Sequence, residues 1–189
     1  MRPLKIPSFL HDVLGEKQSL IAILSILLFG GLLTAALYVS FPELTAGLPF
    51  WRSVLALLLV FDIFSGCLAN FTASTSNFYA SRKINRAVFI AIHVHIVAVS
   101  LLLDTAVVYA VSVWLYTILG AFIVNALIGK HTQLFVAGLL LSIGMGVMPM
   151  LPNLESYMLI IFLLFMLKVL FSFAVDHYGK ALQHSDSKS

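Results

Sequence analysis

The chain is short of charge. Only 10% of its 189 residues are Asp, Glu, Lys or Arg, and 61% are apolar. A soluble domain carries about 25% charged residues and about 45–50% apolar ones. Mean hydropathy is +1.05, an apolar excess larger than a core requires, so part of it is expected to face lipid. Cysteine is nearly missing as well. The single Cys67 lies in an apolar run and excludes both an internal disulfide and a C-x-x-C redox pair. No polar stretch between the apolar runs is long enough to fold as a domain of its own. That argues against an appended nucleotide-binding, DNA-binding or periplasmic module. The net charge of +3 is spread over loops rather than gathered on one surface, so no nucleic-acid partner is expected. Gly129-Lys130-His131 lacks the upstream glycine and the following Ser or Thr of a phosphate-binding loop. The first residues do not read as a cleavable leader, because prolines and an acidic stretch follow the basic residues and Ser19–Val39 is too long for a signal core.

What the chain has in quantity is apolar segments of membrane length. Six stand out: Ser19–Val39, Phe50–Asn70, Ala87–Leu103, Thr105–Leu127, Leu134–Met150 and Tyr157–Val175. The third and fourth share one apolar block, Ala87–Ile128, which as a single helix would be about 63 Å long, twice a bilayer core. It must fold back, and Asp104-Thr105 is the polar break, with the Asp104 carboxylate expected to cap the helix that follows. The expected fold is all-α: a polytopic membrane protein with a compact bundle of six transmembrane helices and a short N-terminal interfacial helix. Residues 1–18 form the interfacial segment, 19–175 the bundle and 176–189 a tail. Within the first segment, Ser8–Gln18 carries Phe9, Leu10, Val13 and Leu14 on one stripe, which predicts a helix capped by Ser8 after Pro7.

The few basic residues set an orientation. Arg2, Lys5, Lys17, Arg82, Lys83, Arg86, Lys130, Lys180 and Lys188 fall on one side of the six segments, Arg52 alone falls on the other, and Lys168 lies inside a span. The positive-inside rule then places both termini in the cytoplasm, in a plasma or bacterial inner membrane. Asn70-Phe71-Thr72 matches a glycosylation sequon but falls on the cytoplasmic side, so it is not expected to be used.

Inside the spans, polar residues point to function or to packing. Along the second segment Asp62, Ser65, Gly66, Ala69 and Asn70 share a helical sector, a stripe that lipid does not satisfy. Asp62, Lys168 and His95 each lie at a similar depth, about 12 Å from the cytoplasmic end of their helices. An Asp62–Lys168 pair is therefore possible, with His95, His93 and Asn70 as further members of a proton or ion pathway. His93 and His95 diverge by about 200° on a continuous helix, so both reach one ion only if the helix breaks, and no metal or other cofactor is expected. Gly138, Ser142 and Gly146 form a small-residue seam suited to helix–helix or oligomer contacts, and Gly31-x-x-x-Ala35 forms another. Tyr109, Ser112, Tyr116 and Gly120 share a face expected to pack.

Three functions fit these residues. The first is a small transporter or proton-translocating protein centred on Asp62, with a small solute or ion as its partner besides the lipid bilayer. The second is an intramembrane metal-dependent hydrolase acting on lipid headgroups through Asp62, His93 and Asp176 or His177. The third is an accessory or assembly subunit whose polar residues only specify packing.

Overall fold

A computed structural model describes residues 3–80 and 82–179 of the chain. The rest of the expected tail, with Lys180 and Lys188, and Arg2 at the other end lie outside the described residues. The described chain is helical except for one short strand pairing. β1 (Leu4–Lys5) pairs antiparallel with β2 (Lys17–Gln18), and α1 (His11–Leu14) lies between them. The long elements are α2 (Leu20–Ser40), α3 (Phe50–Asn70), α7 (Val107–Ala126), α8 (Gln133–Val147) and α9 (Ser156–Met166), the last continuing as a π-helical stretch, Leu167–Phe173. Between α3 and α7 lie α4 (Ala73–Ala80), α5 (Lys83–Ala91) and α6 (His95–Leu103). Six helical spans are long and apolar enough to cross a membrane: Leu20–Ser40, Phe50–Asn70, Lys83–Leu103, Val107–Ala126, Gln133–Met150 and Ser156–Phe173.

Helix boundaries follow local chemistry. The Ser19 hydroxyl accepts the Ala22 N–H at 3.1 Å and starts α2. Asp104 does not cap the helix after it. It takes a left-handed conformation (φ 56°) and ends α6, its own N–H bonding the Ser100 carbonyl. Aspartate tolerates that conformation better than most residues. The Ser100 hydroxyl closes the turn by donating to the Thr105 carbonyl. Arg52 reaches across to the last carbonyls of α6, Leu101 at 2.6 Å and Leu102 at 2.8 Å. The N-terminal segment also departs from expectation. Its helix stops at Leu14 because Gly15 turns the chain at φ 71°, and Ser8 makes no side-chain cap. The Ser/Thr-rich stretch after α3 is itself a helix, α4, started by the Thr72 hydroxyl accepting the Thr75 N–H at 3.3 Å.

The sixth span is central and the first peripheral, with 61% and 17% of an 18-residue stretch of each buried. α2 lies along α3, where Gly30 permits close approach: a Cβ there would stand 2.8 Å from the Ser65 Cβ. Gly31, part of the expected seam, faces open space. The same shift occurs in α8. Gly144 packs on Met166 and Tyr116, while Gly138 and Gly146 meet nothing within 4 Å and Ser142 is exposed. Of the tyrosine face, Tyr109 donates to the Pro152 carbonyl at 3.0 Å, Tyr116 to that of Leu140 at 2.5 Å and Gly120 lies against Leu170, whereas Ser112 is exposed and bonds only the Val108 carbonyl of its own helix.

One end of the bundle gathers the N-terminal segment, α4, the turn before α8 and the last described residues. Thr75 bonds the Val13 carbonyl at 3.1 Å, and Arg82 pairs with Glu16 at 3.1 Å. Tyr178 bonds the Phe71 carbonyl at 2.7 Å. Arg86, counted above as a surface charge, is instead buried, with Nε on Asn125 at 2.8 Å and Nη2 on the carbonyls of Phe173 and Ala174 at 3.0 and 2.8 Å. Gln133 joins the same knot, donating to the carbonyls of Val124 and Ala174, each at 3.1 Å.

His177 closes this end, its ring against Phe71 and Phe171 and its Nε2 bonded to the Phe171 carbonyl at 3.1 Å. Burial holds its imidazole below the usual histidine range. A base whose pKa is depressed on folding binds its proton more readily in the unfolded state, so its contribution to stability is present above about pH 6.5 and fades as pH falls below that value. Melting temperatures in detergent should therefore drop further between about pH 7 and about pH 5 in the native protein than in His177→Gln. Equal drops would show that His177 does not titrate against the fold.

Candidate functional site

The site is built where α3, the sixth span and the break between α5 and α6 meet. On α3, Asp62, Gly66 and Asn70 recur every four residues and face Leu167–Phe173. Lys168 Nζ donates to Asp62 Oδ2 at 2.6 Å and to the Asp62 carbonyl at 3.2 Å. Asn70 Nδ2 donates to the Lys168 carbonyl at 3.3 Å. Gly66 makes the approach possible, because a Cβ there would stand 2.5 Å from Lys168 Cε and 2.8 Å from its Nζ. Ser65, from the same expected stripe, turns instead toward Gly30 on α2. A buried charge without a partner costs several kcal/mol, so the ion pair offsets a penalty on both helices. The two partners are unequally covered: the Lys168 side chain is 4% exposed and that of Asp62 is 42% exposed. The charge turned outward is the carboxylate.

The histidines reach this point because the third span is broken. The helix stops at Ala91 and restarts at His95. At the break His93 Nδ1 bonds the Phe89 carbonyl, the oxygen that an unbroken helix would pair with the His93 N–H. A carbonyl only accepts, so that nitrogen carries the proton. The divergence expected of a continuous helix is thereby lost, and the two imidazoles stand 5.2 Å apart, edge to face. His95 Nδ1 lies 3.9 Å from Asp62 Oδ2, beyond a hydrogen bond but within ion-pair range when protonated. Asp62, Lys168, His93, His95 and Asn70 thus line one space.

That space is a cavity of about 410 Å³ between α3 and α5. Asp62, Lys168 and the histidines line it at mid-helix height, and Asp12, Val13 and Tyr79 line it at the end where the N-terminal segment meets α4. Asp176 and His177 are placed elsewhere: both line a separate 260 Å³ hollow beside Lys130 and His131. Among the described residues no group of three His, Cys, Asp or Glu side chains is arranged to hold a metal ion. Asp12, Tyr79 and Phe89 are members of the main cavity that the sequence pattern did not single out. No periodicity marks them, since Asp12 and Tyr79 meet only through the fold, Tyr79 donating to the Asp12 carbonyl at 3.1 Å. Comparison of the chain with protein-family models, with curated proteins and with solved structures finds no match.

The pair and the glycine beside it make a joint test. Asp62→Asn and Lys168→Met should each lower the melting temperature in detergent, and the double variant should recover part of the loss. A coupling of about 0.6–1.7 kcal/mol is the range for interhelical polar contacts in membranes. Gly66→Ala should destabilise by pressing on the ammonium, whereas Gly146→Ala, which meets open space, should not. Additive losses for the pair, with a harmless Gly66→Ala, would show that the ion pair holds nothing together.

Proposed function

We propose that the chain is a small multi-pass membrane protein of the cell membrane, with six spans and both termini cytoplasmic, that moves a solute in exchange for protons. One observation carries this reading: an ionisable carboxylate at mid-helix depth, paired with a lysine and flanked by two histidines, faces a cavity rather than being sealed into the core. A purely structural ion pair gains nothing from an exposed carboxylate, and intramembrane ionisable residues mark ion or substrate pathways more often than packing contacts. Every titratable side chain lining that cavity has a part. Lys168 pairs with Asp62, His95 and His93 stand beside the carboxylate as the groups of a relay, and Asp12 and Tyr79 line the end near the N-terminal segment. Protonation would neutralise Asp62 and release a bound solute, and loss of that proton to water would restore the carboxylate. The headgroup hydrolase is less well supported, because Asp176 and His177 lie in a different hollow from Asp62 and His93.

Orientation is tested by labelling. Glu43 and His131 are exposed at opposite ends of the bundle, so an impermeant thiol reagent on intact cells should label Glu43→Cys and spare His131→Cys, both in a Cys67→Ser background. The reverse pattern would invert the topology.

Exchange is tested in proteoliposomes with a pH-sensitive dye sealed inside an acidic lumen. A panel of inorganic ions and small organic cations and anions is then added outside. For at least one member, the native protein should speed alkalinisation of the lumen, Asp62→Asn should abolish the response and Asp62→Glu should keep part of it. A response that survives Asp62→Asn, or no response to any member, would end the exchange reading and favour a packing role.

A further inference from the structure

The cavity also carries information about what it holds. Its accessible charge is negative. Lys168 is almost fully covered and already spends two donor positions on Asp62, whereas the carboxylate is open and its second oxygen, Oδ1, accepts no hydrogen bond from the described residues. Two carboxylates, Asp12 and Asp62, line the space against that one lysine, which leaves it net negative while the histidines are neutral. Besides Asn70, Asn85 and the two histidines, the rest of the wall is largely apolar. Ile84, Val88 and Ile92 stand four residues apart along one face of α5 and its end. All three are also exposed on the outside of the bundle, so the cavity opens sideways along α5 as well as toward the termini. Phe89 and Tyr79 also line the cavity, but their rings are packed against Phe173 and each other, so they add apolar wall rather than open ring faces.

We infer that the solute is a small organic cation with an apolar body, an amine or quaternary ammonium, its charge set on the Asp62 carboxylate and its body lying along Ile84, Val88 and Ile92. This deepens the exchange reading by naming the chemistry of the solute at the same carboxylate. A cavity of about 410 Å³ sits in the usual range for small-molecule sites, roughly 300–1,000 Å³. A free inorganic cation would leave the apolar wall without a partner. An anion would meet the carboxylate before it met the ammonium. The side opening admits a compound that already partitions into the membrane interface, and Asp12 raises the local concentration of cations at the mouth.

The test separates charge from shape. Benzyltrimethylammonium is a permanent cation with an apolar ring, neopentylbenzene is its uncharged isostere, and phenylmethanesulfonate has a similar body with the opposite charge. Binding of each to the purified full-length protein in detergent is measured by calorimetry, with saturation-transfer NMR as a second readout. The cation should bind saturably and at least tenfold more tightly than either comparison compound, and Asp62→Asn should weaken it about tenfold. Asp62→Glu, which keeps the negative charge, should retain most of the affinity. Should the Asp62 variants fail to fold, Asp12→Asn, at an exposed position, should weaken binding two- to threefold. Preference for the sulfonate, equal binding of the uncharged isostere, or cation binding indifferent to Asp62→Asn would each overturn the inference. The two claims fail separately: Asp62-dependent cation binding without exchange in liposomes sinks the transport reading and leaves the ligand class standing. Exchange that responds only to anions does the reverse.

Discussion

A lysine ammonium sealed against the central span needs an anion beside it, and much of the site follows from how that need is met. Lys168 is covered to 4% exposure and finds the Asp62 carboxylate at 2.6 Å. For the contact to form, α3 must carry no side chain at Gly66. The sixth span must also present its backbone to Asn70, which donates to the Lys168 carbonyl, while its own Ser172 hydroxyl donates to the Cys67 carbonyl of α3 at 2.7 Å. These contacts hold α3 and the sixth span in one register. In a low-dielectric interior such a pair is sensitive to small displacements, because both its attraction and the cost of separating it are larger than in water.

The same end of the molecule shows how an apolar bundle handles spare backbone groups. The sixth span ends in a π-helical stretch, Leu167–Phe173, and carbonyls within it and just after it accept bonds from outside the span. Side chains from three other elements take them up: Asn70 from α3, Arg86 from α5 and Gln133 from α8. Polar residues that a hydropathy profile treats as interruptions therefore act as the fasteners between spans.

Six apolar segments were legible in the sequence because length and hydropathy alone determine them, and the Phe50–Asn70 boundaries coincide with α3. The proximity of Asp62 to Lys168 was legible as a matching of depths, since a fixed helical rise converts position into height. The break at Ile92–Val94 was not. It depends on the His93 ring taking a backbone carbonyl, and no proline or glycine announces it. Gly30 and Gly144, which make the close contacts of α2 and α8, were missed in favour of neighbouring spaced residues, because a small-residue motif gives a spacing and not the direction in which a helix is turned. Arg86 was misplaced for a related reason: a charge near a span end counts as exposed until the carbonyls that bury it are known.

The break has a mechanical consequence. Below it, α5 is a rod of nine residues, about 13 Å long, joined to α6 by a short non-helical link. A tilt of about 10° at that link would move the far end of the rod by about 2 Å. The rod is not free to swing alone, since Arg86 ties it to the carbonyls of Phe173 and Ala174 at the end of the span that holds Lys168. The apolar wall of the cavity and the cation at its floor are thus linked like a door and its latch, and widening one strains the other.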